Sequence, residues 1–431
     1  MPRSALLSLL ALVLLASSCN SATSVSQTPT PGPAPATQND PPALVRTRAV
    51  TPRTYRITLA DLPRPFATPS ATKGADVVPP PDSATLNVPP GFVVNVFAEG
   101  LTGPRQMVLT PEGEVLVAES SAGRLTVLTD ANRDGAAEGR RVVAEGLRRP
   151  FGLAFAGSTL FVGNTDGVVR FDWTRDRLAG TGTRITELPS GGHWTRNVVL
   201  APDGQHLFVS VGSRSNVDRE DPPRAAILRM RLDGSQRETF ASGLRNAVGM
   251  AFHPRTGALY AGVQERDGLG DNLVPEYVTR VQEGAFYGWP YAYLAPSNLD
   301  PRRVEGDRSE RPDLAGRTTT PDVLIQAHSS ALGLVFYTGT QFPARYRTGA
   351  FVALRGSWNR HEGTGYKVVF LPFENDRPAG GYEDFLTGFL LDPSGPTTFA
   401  RPVGLLVLPD GSLLLSEDGN GRIYRISYRG S

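Results

Sequence analysis

Residues 198–211 read VVLAPDGQHLFVSV, which is two short apolar runs joined by a Pro-Asp-Gly turn. Apolar runs of this length on either side of a tight turn predict a β-hairpin. A similar arrangement returns at residues 405–417, which read LLVLPDGSLLLSE. Because a single hairpin cannot bury its own apolar face, the chain must pack several such units together.

The hairpin pattern recurs six times from residue 88 onward, and a third strand often follows a polar loop. Equivalent apolar residues of the first strands are spaced 46, 45, 52, 84 and 71 positions apart: Met107, Leu153, Val198, Met250, Leu334 and Leu405. Units of about 45 residues with several strands each are typical of propeller blades. We therefore predict an all-β, six-bladed β-propeller over residues 88–431, with long insertions in the fourth and fifth units. A tandem of β-sandwiches is the alternative that this spacing leaves open.

A seventh strand-like segment, Phe92–Phe97, lies outside the six units. We expect it to close the ring as the outer strand of the last blade, beside Ile423–Ile426. The sequence has no amphipathic helix of useful length and no GxGxxG or P-loop motif. A dinucleotide-binding α/β fold is therefore not expected.

The N-terminus has the pattern of an export signal. Arg3 precedes an apolar run and a few small residues that end at Cys19. The run is shorter than the ~20 apolar residues that span a bilayer. We predict that residues 1–18 are a lipoprotein signal, that Cys19 is lipidated, and that the protein is periplasmic or on the cell surface. A plain secretory signal is the alternative. Residues 19–87, rich in Pro, Ser and Thr, are predicted to be a tether and lead-in.

The composition limits the classes of function. The chain has 431 residues, of which 40% are hydrophobic, and a formal net charge of +2. A sizeable core is therefore expected, but no bulk field that would recruit nucleic acid. The single cysteine excludes a disulfide framework, a four-thiolate metal site and a covalently attached c-type haem.

Residues next to the inner strands of a propeller are the candidates for chemistry, because ligands bind there at one end of the channel. His193 lies in a Gly-Gly turn before the third inner strand, where a neutral imidazole could act as a general base. Arg245 and Arg401 stand at the start of two other inner strands. Converging guanidinium groups suit a polycarboxylate or a developing oxyanion. A surface turn and surface salt bridges are the plain alternatives for these residues.

Two further runs stand between the fourth and fifth inner strands. Tyr287–Pro290, with Trp289 inside it, could supply a stacking face or only a rigid packed turn. Asp267 and Asp271 lie in a Gly-rich run and could hold Ca²⁺ together with nearby carbonyls. Their spacing is not that of an EF-hand.

Seven runs taken together resemble the soluble quinoprotein glucose and sorbosone dehydrogenase family, and its sorbosone branch most closely. They fall within residues 88–428, in the family's order, and read GGHWTRN, GLRN, ERDGLGD, FYGWPY, HSSALGL, ALRGSWNR and RPVG. The resemblance implies a six-bladed propeller that binds pyrroloquinoline quinone (PQQ) and Ca²⁺. It also implies oxidation of sugars or related carbonyl compounds in the periplasm.

The resemblance also implies roles for single residues. His193 matches a histidine that takes the substrate hydroxyl proton while hydride passes to the quinone. Arg245 matches an arginine that polarises the quinone oxygen together with Ca²⁺. The cofactor-binding set is then Arg245, Asn246, Arg355, Arg401 and Trp289. The metal set is the main-chain carbonyls of Glu265 and Arg266, together with Asp267 and Asp271.

Two positions depart from the pattern of the glucose enzymes. Arg149 stands near the place of a family glutamine, and Ser213 replaces an aspartate that orients the histidine. Asn216 or Asp218 is expected to substitute for that aspartate. These departures count against glucose as substrate and agree better with the sorbosone-like branch.

The sequence therefore predicts an exported, PQQ- and Ca²⁺-dependent dehydrogenase of sugars or sugar aldehydes. Electrons are expected to pass to a separate acceptor, because the chain has no haem motif. Specificity is expected in the insertions around Asp300–Asp322 and Phe342–Arg347. The alternatives are a non-catalytic, cell-surface sugar-binding propeller and a Ca²⁺-dependent sugar-lactone hydrolase.

Overall fold

A computed structural model describes residues 42–430, which form six antiparallel sheets arranged in a ring. The inner strands of the six sheets contact one another in a closed circle, from blade one to blade six and back. The predicted all-β, six-bladed propeller is confirmed. The proposed signal peptide and the Cys19 lipidation site lie outside the described residues.

Each blade has four main strands, which follow one another from the centre of the ring outward. In that order, blades one to three are Pro104–Leu109, Val115–Glu119, Arg124–Thr129 and Gly139–Ala144; Leu153–Ala156, Thr159–Asn164, Gly167–Thr174 and Arg177–Glu187; and Val198–Leu200, His206–Val211, Ala226–Arg231 and Glu238–Ser242. Blades four to six are Asn246–Phe252, Leu259–Gln264, Glu276–Arg280 and Val323–Ile325; Ala331–Phe336, Gly349–Leu354, Lys367–Glu374 and Tyr382–Leu386; and Pro402–Val407, Leu413–Glu417, Arg422–Tyr428 and Phe92–Ala98.

The ring closes in the last blade, where a strand from the start of the propeller pairs with the end of the chain. Phe92–Ala98 runs antiparallel to Arg422–Tyr428, with Phe92 opposite Tyr428 and Val94 opposite Ile426. The expected closing strand is confirmed. Joining the two ends of the propeller in one sheet also pairs strand edges that would otherwise be open.

The lead-in before the propeller pairs with the outer strands of the blades. Leu44–Val45 adds a fifth strand to blade six, and Thr54–Tyr55 extends blade five. Asp76–Val77 pairs with Thr397–Thr398, a two-residue strand that also pairs with Leu390–Asp392. The outer edges of the blades thus supply partners for backbone groups of a Pro-rich segment that has little core of its own.

The remaining elements are short. Thr47–Ala49 pairs with Leu86–Val88, Arg377–Pro378 pairs with the third strand of blade five, and a 3₁₀ turn spans Leu59–Asp61. The insertion of blade four contains two paired strands, Val304–Glu305 and Arg308–Ser309, and the helix Pro312–Ala315. The insertion of blade five contains the 3₁₀ turn Ala344–Tyr346. Within residues 42–430, no helix is long and apolar enough to cross a membrane.

The centre of the ring is filled by side chains next to or within the inner strands. Phe151, Val248, Leu332 and Val403 form one buried apolar cluster. The backbones also approach closely there: a Cβ added at Gly404 would lie 2.3 Å from the carbonyl oxygen of Arg105. The channel is therefore packed with protein atoms along its middle and can open only toward its ends.

Candidate active site

A cavity of about 430 Å³ opens where the inner strands begin. Val248 and Leu332, from the central apolar cluster, belong to its lining. Most of the other lining residues are polar or charged; among them are Arg105, Arg149, His193, Trp194, Asn216, Arg245, Asn246, Glu265, Asp267, Glu276, His328, Arg355, Trp358 and Asn359. The sequence predicted that ligands bind at one end of the channel. This end is concave, as ligand sites are, and it is rich in titratable groups, as catalytic sites are.

The run GGHWTRN folds into a rigid turn that holds His193. Gly192 has φ +66°, and an added Cβ would lie 2.2 Å from the Cα of Arg214, so the position requires glycine. The fully buried Arg196 guanidinium donates hydrogen bonds to the carbonyl oxygens of His193 (2.8 Å) and Pro189 (2.6 Å). The turn therefore fixes the backbone from which the imidazole enters the cavity.

Ser213 sets the tautomer of His193. The imidazole Nδ1 lies 2.9 Å from the Ser213 carbonyl oxygen, and the Ser213 hydroxyl is committed as a donor to the carbonyl of Ser215 at 2.6 Å. Nδ1 therefore carries the hydrogen, and Nε2 keeps its lone pair. Burial and the nearby Arg245 cation lower the pKa of His193 to about 3. The ring is thus neutral at ordinary pH.

The expected substitutes for the missing aspartate do not contact His193. Asn216 accepts hydrogen bonds from Arg245 through both its carbonyl (3.1 Å) and its side chain (3.0 Å), while Asp218 pairs with Arg303 at 2.9 Å. That expectation was wrong, because the backbone carbonyl of Ser213 already orients the ring. A serine can therefore replace the aspartate at this position, because its main-chain carbonyl oxygen orients His193.

Arg245 is held on three sides by acceptors. Besides the two bonds to Asn216, it donates to the Glu265 carbonyl oxygen at 2.7 Å and to Asp267 Oδ2 at 3.1 Å. The Glu265 carbonyl, expected as a Ca²⁺ ligand, is therefore also an anchor for Arg245. A buried cation fixed in this way can stabilise negative charge that develops on a substrate or cofactor oxygen.

One wall of the cavity is acidic. Asp267 accepts a hydrogen bond from Asn359, and its Oδ1 lies 3.6 Å from His328 Nδ1. Burial opposes ionisation of Asp267, but the nearby His328 ring and the Arg245 charge outweigh it and hold its pKa below the usual value. Burial raises the pKa of Glu276 to about 7, against hydrogen bonds from the backbone of Ala331 and Ser330.

A second group of charged residues is an arginine cluster, which we define as Arg105, Arg149, Arg355 and Arg401; the first three line the cavity. Asp418 pairs with Arg355 at 2.9 Å and also with Arg105. Burial lowers the pKa of Arg105 to about 9; Asp418 opposes this shift, and the other three arginines add to it. The arginines outnumber the carboxylate they share, so the cluster can accept further anionic groups.

Trp194 supports the exposed end of the cluster. The Arg149 guanidinium carbon lies 3.9 Å from the centre of the indole ring, and that of Arg105 lies 5.1 Å away. Arg105 was missed from the sequence, although it stands at the start of an inner strand as Arg245 and Arg401 do. Arg149 was noted there only as a departure from the glucose enzymes.

The structure brings most of the expected residues to this cavity, but not all. His193, Arg245, Asn246, Arg355, Glu265 and Asp267 line it. Arg401 does not, but its charge lowers the pKa of Arg105 from within the cluster, and its Nε is buried without a partner.

Three expected residues do not line the cavity and are bonded to other protein groups. Trp289 donates from Nε1 to the Asn216 carbonyl at 2.9 Å, the buried Arg266 pairs with Asp300 at 2.9 Å, and Asp271 lies 3.0 Å from His361 Nδ1. The Arg266 and Asp271 side chains are thus used by other protein groups. Asp300 belongs to the insertion of blade four, and it pairs with the residue that follows Glu265 of the cavity lining. The insertion thus supports the site through Arg266.

The insertion around Phe342–Arg347 does not reach the cavity. The inner strand of blade five starts beside the cavity at Ala331 and ends at Phe336, so the segment that follows lies at the other end of the channel. Phe342 and Tyr346 are buried in an aromatic core there. The expectation that this insertion sets specificity was wrong, because its large residues form core.

The chain is similar to known proteins over most of its length. The model of the TrAA12-like family matches residues 86–429. The PQQ-dependent pyranose dehydrogenase of Coprinopsis cinerea is 27% identical, over 79% of this chain and 54% of that enzyme. This chain therefore spans about half the length of that enzyme. An uncharacterised protein of Borreliella burgdorferi is 28% identical, over 80% of this chain and 92% of its own length.

Solved structures show the same fold. The holo PQQ domain of the C. cinerea pyranose dehydrogenase superposes with a TM-score of 0.68 at 25% identity, covering 82% of this chain and all of that domain. The calcium structure of a Trichoderma reesei carbohydrate-active enzyme of family AA12 gives 0.71 at 20% identity, covering 83% of this chain and 99% of that one. The chain belongs to the TrAA12-like family and is a homologue of PQQ-dependent sugar dehydrogenases.

Proposed function

We propose that this protein is an exported dehydrogenase that uses PQQ and Ca²⁺ to oxidise sugars or sugar aldehydes, and that it passes the electrons to a separate acceptor. The observation that carries the proposal is one cavity with a neutral, oriented imidazole on one side and an excess of arginine on another. Membership of the sorbosone branch, export and lipidation of Cys19 are parts of the proposal that rest on the sequence pattern.

The arginine cluster fits PQQ, which is a flat tricarboxylate. Arg105, Arg149 and Arg355 line the cavity, while Asp418 neutralises only part of the cluster's charge. Bidentate guanidinium pairs are the strongest carboxylate ligands in proteins. Val248 and Leu332 add apolar lining against which a flat ring can pack. Arg105, Arg149 and Arg355 would hold the carboxylates, and Arg401 would add its charge from behind the lining.

The cavity also offers oxygens for Ca²⁺. Asn246 Oδ1 and Glu265 Oε1 are buried and have no hydrogen-bond partner, and both residues line the cavity. Ca²⁺ takes six to eight oxygen ligands, among them carboxylate and amide oxygens. These two side chains would hold the ion, together with the expected main-chain carbonyl of Arg266, whereas the Asp271 side chain pairs with His361.

The chain's own residues supply proton transfer and charge stabilisation. When bound, the quinone accepts the two electrons and the hydrogen that leave the substrate carbon. His193 Nε2, with its lone pair free, accepts the proton of the substrate hydroxyl. The Arg245 cation, held by Asp267 and Asn216, stabilises the negative charge that develops on oxygen.

Neither alternative is favoured by a specific observation. Within the described residues, Asp130, Asp134 and Glu138 form the only group of three or more His, Cys, Asp or Glu side chains close enough to share an ion. Asp130 follows the strand Arg124–Thr129, which runs away from the cavity end, so this group does not form the metal centre that a lactone hydrolase needs there. A propeller that only binds sugar would not require a base held in one orientation, as His193 is.

The direct test is reconstitution of the purified protein with PQQ and Ca²⁺, followed by a screen of aldoses, sorbosone and other sugar aldehydes with a dye acceptor. We expect dye reduction that requires both additions and that a chelator abolishes. A protein that binds PQQ but oxidises no sugar would restrict the proposal to cofactor binding. One that binds no PQQ would contradict it.

Removal of one arginine from the cluster should weaken the cofactor site. Arg105→Gln removes a buried cation, and a hydrogen bond to a charged group is worth about 1.5–3 kcal/mol, so we expect PQQ to bind about 10- to 100-fold more weakly. Arg255→Gln is the matched control, because Arg255 pairs with Asp376 at the other end of blade four. Equal affinity of the two variants in a titration would rule out Arg105 as a ligand.

A further inference from the structure

The mouth of the cavity has one large apolar residue, Trp358. Within the described residues, six large apolar side chains are exposed: Leu44, Leu59, Phe66, Val142, Trp358 and Leu391. Only Trp358, which is 48% exposed, is also part of the cavity lining. Other exposed residues of that lining include Arg149, Gly192 and Arg214. Single exposed apolar side chains are common on protein surfaces, so what distinguishes Trp358 is its place on the cavity lining.

The exposure of Trp358 does not come from a loose loop. Ser357 and Asn359 on either side are buried. The backbone N–H of Ser357 donates to the Thr364 carbonyl at 2.9 Å, and its own carbonyl accepts the Tyr366 hydroxyl at 2.5 Å. The Asn359 side chain is bonded to Asp267 and lies 3.0 Å from His328 Nδ1. The backbone on both sides of the indole is therefore fixed.

The lead-in adds a support that lies outside the family-matched region, which begins at residue 86. The backbone N–H of Lys73 donates to the carbonyl oxygen of Trp358 at 2.6 Å. The Lys73 ammonium donates to the carbonyl oxygens of His361 (2.9 Å) and Ser394 (3.2 Å). Trp358 is thus tied from a second segment of the chain, while its side chain is left to solvent.

We infer that Trp358 is a stacking platform for the ring of a cyclic sugar, an inference that rests on the proposed function. A six-membered sugar ring has an apolar C–H face and a rim of hydroxyls. Such a face packs on an indole, while the hydroxyls are free to reach polar groups such as Asn359 and His193 in the same cavity. A fixed platform binds at low entropic cost. It selects a ring over an open-chain polyol, which has no flat face.

The inference is tested by ligand titration of the PQQ- and Ca²⁺-loaded protein. The probe is 1,5-anhydroglucitol, a ring sugar without an anomeric hydroxyl, and sorbitol is the open-chain comparison. Because the alanine variant loses the flat apolar face, we expect Trp358→Ala to weaken binding of the ring sugar about tenfold, which is about 1.4 kcal/mol. Trp358→Phe, which keeps a flat face, should weaken it about threefold or less.

Turnover gives a second readout. On any sugar that is oxidised, Trp358→Ala should raise KM more than it lowers kcat, and Val142→Ala, at an exposed site outside the cavity lining, should change neither. If no sugar is oxidised, the proposed function fails, but the titration still decides about the platform. Equal affinity of wild type and Trp358→Ala for 1,5-anhydroglucitol, no binding of it by wild type, or equal binding of sorbitol would overturn the inference.

Discussion

His193→Gln should lower kcat by about 10²- to 10⁴-fold, the usual contribution of a positioned general base, and leave PQQ affinity within about threefold. Glutamine has a size near that of histidine and can still donate an N–H to the Ser213 carbonyl, but it has no basic nitrogen. Loss of turnover is therefore attributable to the missing lone pair rather than to a collapsed turn. Single-turnover reduction of the loaded enzyme, followed optically, measures the step directly.

The control for this variant is Ser213→Ala, which removes a hydroxyl 3.0 Å from Nδ1 but keeps the carbonyl that orients the ring. We expect its kcat to fall about threefold or less, because the main-chain acceptor remains. If His193→Gln kept near-normal turnover, His193 would not be the base. If Ser213→Ala were as damaging as His193→Gln, the hydroxyl and not the carbonyl would orient the ring.

The pH profile supplies an independent check on the same residue. Burial and Arg245 lower the pKa of His193 from 6.5 to about 3, so the base remains unprotonated as the pH falls through 6 and 5. We expect no fall in kcat/KM with a midpoint near 6.5. Because the folded-state pKa is depressed, the stability that His193 contributes is complete above pH 6.5 and is lost as the pH falls toward 3. The thermal midpoint of His193→Gln should therefore depend less on pH in that window.

The fold could be predicted because its information is local. Each blade repeats one hairpin pattern that can be read directly from the sequence. The strand-like segment at Phe92 could be assigned to the last blade because that blade otherwise lacked an outer strand. The acceptor for His193 could not be predicted, because a backbone carbonyl replaces the aspartate side chain and leaves no trace in residue types. The lead-in was equally hard, because its order comes from pairing with distant strand edges such as Thr397–Thr398.

The arginine cluster shows where sequence reasoning is limited. Arg105, Arg149, Arg355 and Arg401 come from four different blades and are up to 296 positions apart in the sequence. Each by itself is an arginine near one end of a strand, in a chain with 44 Lys and Arg residues. Only the closed ring brings them together and places Arg105 and Arg355 on Asp418. The rule that finds Arg105 is positional: every residue at the start of an inner strand should be considered, whatever its motif.

Arg245→Met should damage both stability and turnover. The guanidinium makes four hydrogen bonds to Asn216, Glu265 and Asp267 and is 5% exposed. Removing one partner of a buried ion pair costs about 3–5 kcal/mol, and we expect a loss at the low end, because Asp267 keeps its bond from Asn359. Urea unfolding measures this loss. Removal of the cation should also lower kcat about 10²- to 10³-fold, since it would stabilise developing charge.

Arg245→Lys separates the two effects. A lysine keeps the charge but has one nitrogen with three donors, whereas Arg245 makes four hydrogen bonds from three nitrogens, so we expect stability to be recovered only in part. Its kcat should exceed that of Arg245→Met by at least about tenfold if charge is what the reaction requires. Asn216→Ala removes one acceptor of Arg245 and two side-chain bonds to the Asp267 backbone but keeps the cation, so it should have a smaller effect on kcat than Arg245→Met. Equal kcat for Arg245→Lys and Arg245→Met would show that Arg245 only supports the loop that carries Asp267. The charge stabilisation would then have to come from Ca²⁺ or from the arginine cluster.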